Sequence, residues 1–322
     1  MHTPQVSVLM PVYNGQKHLK PAIESILDQS FRNFELLVVD DGSTDASGEI
    51  VRTYAATDAR IRLISQANQG IVGALNNALF AARGELCARM DADDVSAPHR
   101  LAAQLQFLEA NRAVTVVGGH GYIIDDDGDP VRPFPVVLTD EEITAALLRE
   151  RSFAGRTHLI HPAVMFRRGV ACEIGGYRQE FIWAEDRDFF LRMGESGQLA
   201  NLDKTILHYR QSGGSVSNTR AELQQDNAYN TIVKARIRRK LPVMPEASIR
   251  WAPSKPVSPT AYSIYVATVS SEHGNMQTAR KHVRRALAAA PMSADVWRTL
   301  LLVGKRGLDA IGRPGPAFSN FS

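Results

Sequence analysis

The sequence predicts an α/β fold: a mainly parallel central sheet with helices on both faces, followed by a C-terminal helical appendage. Three observations predict it. Short apolar, β-branched runs alternate with segments of helical periodicity through the first third of the chain, the pattern of strands joined by crossover helices. Several of those runs stop at Asp or at an Asn-Gly or Asp-Gly pair, which end strands and open loops. Beyond about residue 210 the strand signal fades and basic helical segments take over.

Residues 6–12 (VSVLMPV) read as a first strand, ended by Tyr13-Asn14-Gly15. Leu19, Ile23, Ile26 and Leu27 then fall at helical spacing within 17–30. Residues 34–39 (FELLVV) form a second strand that ends at Asp40-Asp41-Gly42, and Ser43-Thr44-Asp45 can cap a helix over 46–56. A strand at Ile61–Ile64, a helix over 70–82, a strand over 85–90, a helix over 98–110 and a strand over 114–117 continue the alternation. The middle third is less regular. Residues 125–138 read as a turn and an irregular extended stretch, 139–150 as a helix, and 162–166 and 205–209 as strands with a helix over 185–195 between them. Residues 217–240 read as a polar, then strongly basic, helix. Three helices near 258–273, 275–290 and 293–311 complete the chain; their small-residue spacing resembles one tetratricopeptide hairpin, short of the roughly three units a repeat array needs. The expected division is an α/β domain over 1–220 and a basic helical extension over 221–322.

Lys and Arg number 37 against 34 Asp and Glu, a net charge of +3. That excludes a nucleic-acid binder held by charge alone. The charge is unevenly spread: residues 1–210 hold 21 basic and 28 acidic side chains, residues 211–322 hold 16 and 6. An acidic core suits a cation, and a basic tail suits an anionic surface. Cys87 and Cys172 form neither a metal spacing nor a CxxC pair, which fits a reducing compartment. Met1–Gln5 carries no basic or apolar signal region, and no apolar run reaches the roughly 18–20 residues that cross a bilayer. The expectation is a cytoplasmic chain that can touch the inner face of the plasma membrane without spanning it. Nothing in the sequence indicates an oligomeric state.

In such sheets ligands bind beyond the carboxyl ends of the strands, so the loop Pro11–Gly15, the pair Asp40-Asp41 and the cluster Asp91–Asp94 should share one rim. Along an extended backbone Asp91 and Asp93 point the same way, and two carboxylates can bind a hard divalent cation. The alternative is an acidic solvated turn with Ser96 capping the next helix. Asp40-Asp41 can accept hydrogen bonds from a nucleobase or ribose, though the local sequence favours a plain turn. Glu185-Asp186 opens an amphipathic helix, where a carboxylate can serve as general base or simply complement the helix dipole; local sequence favours the second. His158 and His161 are three apart, but Pro162 argues against a helical ligand pair. Arg210 can meet a phosphate or pair with an acid. Gly213-Gly214-Ser215 reads as a lid or a linker, and Lys234–Lys240 as a solvated face or a contact for anionic lipid head groups.

Together these segments resemble a family 2 glycosyltransferase of the GT-A, Rossmann-like fold. The resemblance rests on Val6–Gly15, Val38–Asp45, Asn68-Gln69-Gly70 with Ala74-Leu75-Asn76, Gly84-Glu85, Met90–Asp94, His161-Pro162, Gly175-Gly176-Tyr177, Ala184-Glu185-Asp186 and Tyr209-Arg210, and spans residues 5–220. It implies inverting transfer of one sugar from a nucleoside diphosphate sugar, UDP by family weighting, to a glycan or lipid-linked acceptor in cell-surface polysaccharide synthesis of the bacterial envelope type. By position, it implies that Pro11, Tyr13, Asn14, Asp40, Asp41 and Asn76 line the donor nucleotide site. Asp91 would lie near ribose and metal, Asp93 would be the main Mn²⁺ or Mg²⁺ ligand, and Asp186 the catalytic base. Glu185 would sit near the acceptor, with His161 and Arg210 closing the donor site. Many relatives carry Arg where Leu75 stands, which removes an expected diphosphate contact. The Gln-x-x-Arg-Trp motif and membrane helices of processive synthases are absent, which favours single-sugar addition. Two competing readings are a sugar-phosphate nucleotidyltransferase and a non-catalytic nucleotide-sugar-binding scaffold. The first would carry a Gly-rich basic loop after strand one, where this chain has Pro-Val-Tyr-Asn-Gly; the second sits poorly with intact Asp91, Asp93 and Asp186.

Overall fold

The computed structural model describes residues 3–150, 153–212, 221–246 and 258–309; Gly213-Gly214-Ser215 lies outside them. The chain divides into two compact units that interleave along the sequence. The first comprises residues 1–121, 135–208 and 222–251, the second residues 122–134, 209–221 and 252–322.

The elements run β1 (Val6–Val12), α1 (Leu19–Leu27), β2 (Phe34–Asp40), α2 (Ser47–Thr57), β3 (Ile61–Ser65), α3 (Gly70–Ala81), β4 (Leu86–Arg89), β5 (Val95–Ser96), α4 (Arg100–Ala110), β6 (Val114–Ile124) and β7 (Pro130–Phe134). They continue with α5 (Asp140–Leu147), β8 (Met165–Arg167), α6 (Arg168–Glu173), α7 (Glu185–Met193), β9 (Gln198–Arg210), α8 (Ala221–Arg238), α9 (Pro259–Glu272), α10 (Met276–Ala289) and α11 (Ala294–Asp309).

In the first unit β3, β2, β1 and β4 are adjacent and parallel. β1 and β2 are buried at every position. Helices cover both faces, so the strands read as unbroken apolar runs rather than as alternation. The sheet continues through β8, β6, β9 and β5, and β8 runs antiparallel to both β4 and β6. The α/β expectation is met, with an antiparallel strand set into the parallel sheet. The strand expected over 162–166 shortens to β8 after a 3₁₀ turn at His161–Ala163, because Pro162 cannot donate to a ladder. Leu9, Leu37, Phe166, Phe189, Phe190 and Leu199 belong to the main core.

Two buried polar side chains on α4 tie the end of β4 to β6 and to the segment before β8. Arg100 donates to Arg89 O at 2.6 Å and Val164 O at 3.2 Å. Gln104 donates to Val117 O at 3.0 Å and Ala163 O at 2.8 Å. Burial lowers the Arg100 pKa to about 9, and the carbonyls it meets supply the acceptors that burial removes. The basic run on α8 is tied down within the unit. Lys234 pairs with Glu180 at 2.8 Å, Arg236 with Glu150 at 3.0 Å, and Arg238 and Arg239 with Glu195 at 2.8 and 3.4 Å.

The second unit packs Ile123, Val131 and Val266 together with Phe134, Tyr209 and Tyr262. A smaller cluster of Ala267, Ala279, Val283 and Val303 joins α9, α10 and α11. The stretch expected to be irregular contains β7 and a tight turn carrying Asp125, Asp127 and Asp129. The Lys281 ammonium reaches all three carboxylates, at 2.7 Å from Asp127 and 2.5 Å from Asp129. His282 Nε2 lies 2.8 Å from Asp125 Oδ2. Burial opposes the Asp125 charge, but these partners outweigh it and hold the carboxyl well below the usual range. Among the described residues no helix is long and apolar enough to cross a membrane.

Candidate active site

Register alone brings the strand ends together. Val12 pairs with Asp40 across β1 and β2, and Leu9 with Arg89 across β1 and β4. With strands about 5 Å apart, Asp40 and the residues after Arg89 flank the tip of β1. Pro11 is buried one residue before that tip, where the missing N–H costs the ladder least.

Beyond the tip, two loops are laced to each other. The backbone N–H groups of Asn14, Gly15 and Gln16 donate to Ser43 Oγ, Ser47 Oγ and Asp45 Oδ2 at 3.0, 2.9 and 3.1 Å. In return Thr44 N donates to Asn14 Oδ1 at 2.8 Å and Ala46 N to Gln16 Oε1 at 3.0 Å. Asn14 has φ 50°, a left-handed conformation that Asn tolerates better than most residues. Tyr13 stands 54% exposed at this edge.

The neighbouring acids divide by task. Asp40 is buried, and its Oδ1 accepts from Ser43 N at 3.0 Å. The Asp41 carboxylate takes three donors: Gln66 Nε2 at 2.7 Å, Gln69 N at 2.8 Å and Gly70 N at 2.9 Å. It therefore caps α3. Asn76, on α3, clamps the backbone of Tyr177 from both sides, donating to its carbonyl at 2.9 Å and accepting from its N–H at 2.8 Å. Leu75 is fully buried in the core, so that position faces inward.

Asp91, Asp93 and Asp94 each offer a carboxylate oxygen, and the three oxygens lie within 4.8 Å of one another. Asp93 is exposed, Asp91 half-buried and Asp94 buried. Such a set of hard oxygen donors with an open side fits Mg²⁺ or Mn²⁺. The Asp125–Asp127–Asp129 cluster offers the same donors, but an ammonium group lies among them.

Glu185 and Asp186 form the first turn of α7. Glu185 is buried, and its Oε2 has no hydrogen-bond partner among the described residues. Burial, followed by the adjacent Asp186 charge, pushes its pKa up to about 7. The Asp186 pKa is also raised by burial, against the lowering influence of Arg187, whose N–H it accepts at 2.7 Å. Asp186 opens on a cleft of about 180 Å³ shared with His158, Trp183, Arg187 and Gln224. His158 accepts from Leu159 N at 2.8 Å and packs edge-on against Phe190, a packed side chain. His161 Nε2 lies 3.0 Å from the Tyr177 hydroxyl. Burial and the nearby Arg89 charge keep its imidazole neutral.

Arg89 is the residue the sequence reading missed. It is buried, and its Nη1 lies 2.5 Å from Asp91 Oδ2. Burial works against its charge, yet Asp91 and its other acidic neighbours raise its pKa above the usual value. The same charge acts on His161, Tyr177, Glu185 and Asp186. Arg89 therefore pairs with Asp91 at β4's end, and its charge lowers the pKa values of Glu185 and Asp186 at the start of α7. Its only signal in the sequence is a charged residue inside an apolar strand, two before Asp91. Arg210 belongs to the second unit, where it donates to Asp125 O at 2.9 Å and Asp126 O at 3.2 Å.

Residues 7–175 match the family profile described as Glycosyl transferase family 2. EpsE of Bacillus subtilis, named as a glycosyltransferase, is 34% identical over 245 residues, covering 74% of this chain and 84% of that protein. Two solved structures share the fold. TarS residues 1–349 of S. aureus in complex with UDP-GlcNAc aligns with TM-score 0.58 at 17% identity, covering 94% of this chain and 80% of that one. The mannosyltransferase PcManGT of Pyrobaculum calidifontis in complex with GDP-Man and Mn²⁺ aligns with TM-score 0.53 at 19% identity, covering 98% and 82%.

Proposed function

The chain belongs to glycosyl transferase family 2 and is a glycosyltransferase of the GT-A fold; from that premise we propose that it transfers one sugar with inversion, using a divalent cation. The donor in this reading is a nucleoside diphosphate sugar, UDP-linked by family weighting. The acceptor is a hydroxyl of a glycan or lipid-linked saccharide in cell-surface polysaccharide synthesis, met at the inner face of the membrane. The observation that supports the reading is the cluster of Asp91, Asp93 and Asp94 beyond β4, with Arg89 paired to Asp91 and its charge reaching the Glu185–Asp186 pair. The complexes named for TarS and PcManGT, with UDP-GlcNAc and with GDP-Man and Mn²⁺, agree in kind.

A second observation favours cation dependence. The amides of Asn14, Gly15 and Gln16 donate to side chains of the facing loop. No amide cradle for phosphate oxygens remains at the tip of β1, unlike a Gly-rich phosphate loop. A bound divalent cation would supply the positive charge that this loop lacks. The same fact weighs against a nucleotidyltransferase, which grips a triphosphate with its first loop.

In the proposed mechanism Tyr13 and Asp40 flank the base, and Asp93 and Asp91, with Asp94 in the same cluster, would hold the cation. When bound, that ion neutralises charge on the departing diphosphate. Asp186, its basicity raised by burial, takes the proton of the acceptor hydroxyl. The acceptor oxygen forms its bond to the anomeric carbon from the face opposite the diphosphate. The carbon–oxygen bond to the diphosphate breaks, and its electron pair leaves with the phosphate. One displacement inverts the configuration, and no covalent sugar–enzyme intermediate forms. Asp41 and Asn76, engaged by α3 and Tyr177, serve the fold in this scheme. Arg210, expected at the donor site, is instead engaged by the carbonyls of Asp125 and Asp126.

Two variants test the proposal. Asp186→Asn should cut transfer by about 10²–10⁴-fold while donor affinity stays. Asp93→Ala should weaken Mn²⁺-dependent donor binding, read as the loss of the thermal shift that a folded-state ligand produces. Full activity in either variant overturns the assignment.

A further inference from the structure

The second unit presents an exposed apolar stripe on its last described helix. On α11, Trp297, Leu301 and Leu308 are 50%, 72% and 70% exposed. They fall at i, i+4 and i+11, a single stripe of the helix. Met292, in the turn before α11, is 94% exposed. Gly304 continues the stripe, and a Cβ placed there would meet nothing within 4 Å. Alongside runs a groove of about 280 Å³ lined by Val283, Leu287, Leu300 and Val303 and edged by Arg280 and Arg284.

The border is cationic. Residues 276–309 contain seven Lys or Arg and two Asp or Glu. Four of the seven have acidic partners: Lys281 and Arg285 in the turn cluster, Arg298 with Asp295 and Arg306 with Glu272. Arg280, Arg284 and Lys305 are exposed and meet no acid among the described residues.

We propose that this face of α10 and α11 docks on an anionic lipid surface. A bare apolar stripe beside uncompensated positive charge is unusual on a soluble monomer. A Trp followed by Leu residues and bordered by Arg and Lys is the composition of a helix that lies in a membrane interface. A second copy of the chain would set positive charge against positive charge, whereas anionic head groups attract each basic residue near the surface. The α8 basic run, by contrast, is largely occupied by Glu150, Glu180 and Glu195. The inference gives a location to the membrane contact proposed above and stands whichever sugar is moved.

The test uses the full chain and vesicles of phosphatidylcholine alone or mixed about three to one with phosphatidylglycerol, whose surface potential provides the attraction. The chain should sediment with the anionic vesicles only, and added salt should release it. Arg280→Gln and Arg284→Gln should each weaken binding by about fivefold. Leu301→Ser with Leu308→Ser should release the chain, and Trp297→Ser should abolish the lipid-induced blue shift of tryptophan emission. All these positions are exposed, so circular dichroism should be unchanged, and transfer to a soluble acceptor should persist. Equal binding to both vesicle types, absence of binding, or full binding by the variants overturns the proposal. So does a dimer in solution that the same variants dissociate, because the face would then belong to a second copy.

Discussion

Arg89 Nη1 stands 2.5 Å from Asp91 Oδ2, and in the proposed mechanism this pair is what links the residues for the cation to the residue for proton transfer. The guanidinium is buried, so its field is weakly screened and extends to Glu185 and Asp186. One side chain thus tempers the negative charge of two carboxylate groups at once.

Arg89→Met should shift the pH dependence of transfer. Arg89 lowers the Asp186 pKa that burial raises, so its removal lets that pKa climb further. The acid limb of the kcat–pH profile should then move to higher pH, and activity should recover in alkaline buffer. Mn²⁺ affinity should rise, because Asp91 loses a competing cation. An unmoved acid limb would show that Arg89 does not act on the base.

Glu185→Gln should stabilise the protein at alkaline pH. Burial keeps Glu185 protonated up to about pH 7 in the folded chain, against an ordinary value of 4.5. Below the ordinary value both states hold the proton and nothing is lost; as pH rises through about 7 the folded state must bury a charge. Wild-type stability should therefore fall across that window and level off above it. The variant should gain up to about 3 kcal/mol at pH 8 and little at pH 4.5, as read by urea unfolding. Equal stability of the two proteins at pH 8 would refute the raised pKa.

Asn76→Ala should separate a clamp from a ligand contact. Loss of both hydrogen bonds to the Tyr177 backbone should cost about 2–3 kcal/mol of unfolding free energy. Donor affinity should be unchanged. A donor Kd that weakens tenfold with little loss of stability would return Asn76 to the nucleotide site.

The parallel strands were legible because burial on both faces leaves its mark in every residue of β1 and β2. Longer strands hid where packing needs small side chains. The strand expected over 114–117 runs on to Ile124 as β6, through Gly118-Gly119-His120-Gly121. In the structure a Cβ on Gly118 would collide with Asn201 Oδ1, and one on Gly119 would lie 2.8 Å from Ile206 Cδ1. These glycines admit β9, whose polar first half concealed it in turn. β7 was read as irregular because it contains Pro130 and Pro133, which suit a strand with a free side. At the site, carboxylates following apolar runs could be found by pattern. Arg89 could not, since the acids its charge acts on, Asp91 and Asp186, come from segments nearly a hundred residues apart, and no local spacing encodes that.

Lys281 among Asp125, Asp127 and Asp129 has a consequence for how ions are counted on this protein. A tethered ammonium sits among the carboxylates of that nest and competes with manganese there, whereas the Asp91, Asp93 and Asp94 set meets Arg89 at Asp91 and keeps Asp93 exposed. Calorimetric titration should saturate at one ion per chain. Replacing Lys281 with Met should expose a second, independent step in the isotherm, and the stoichiometry of the unaltered protein then becomes a direct readout of the rim.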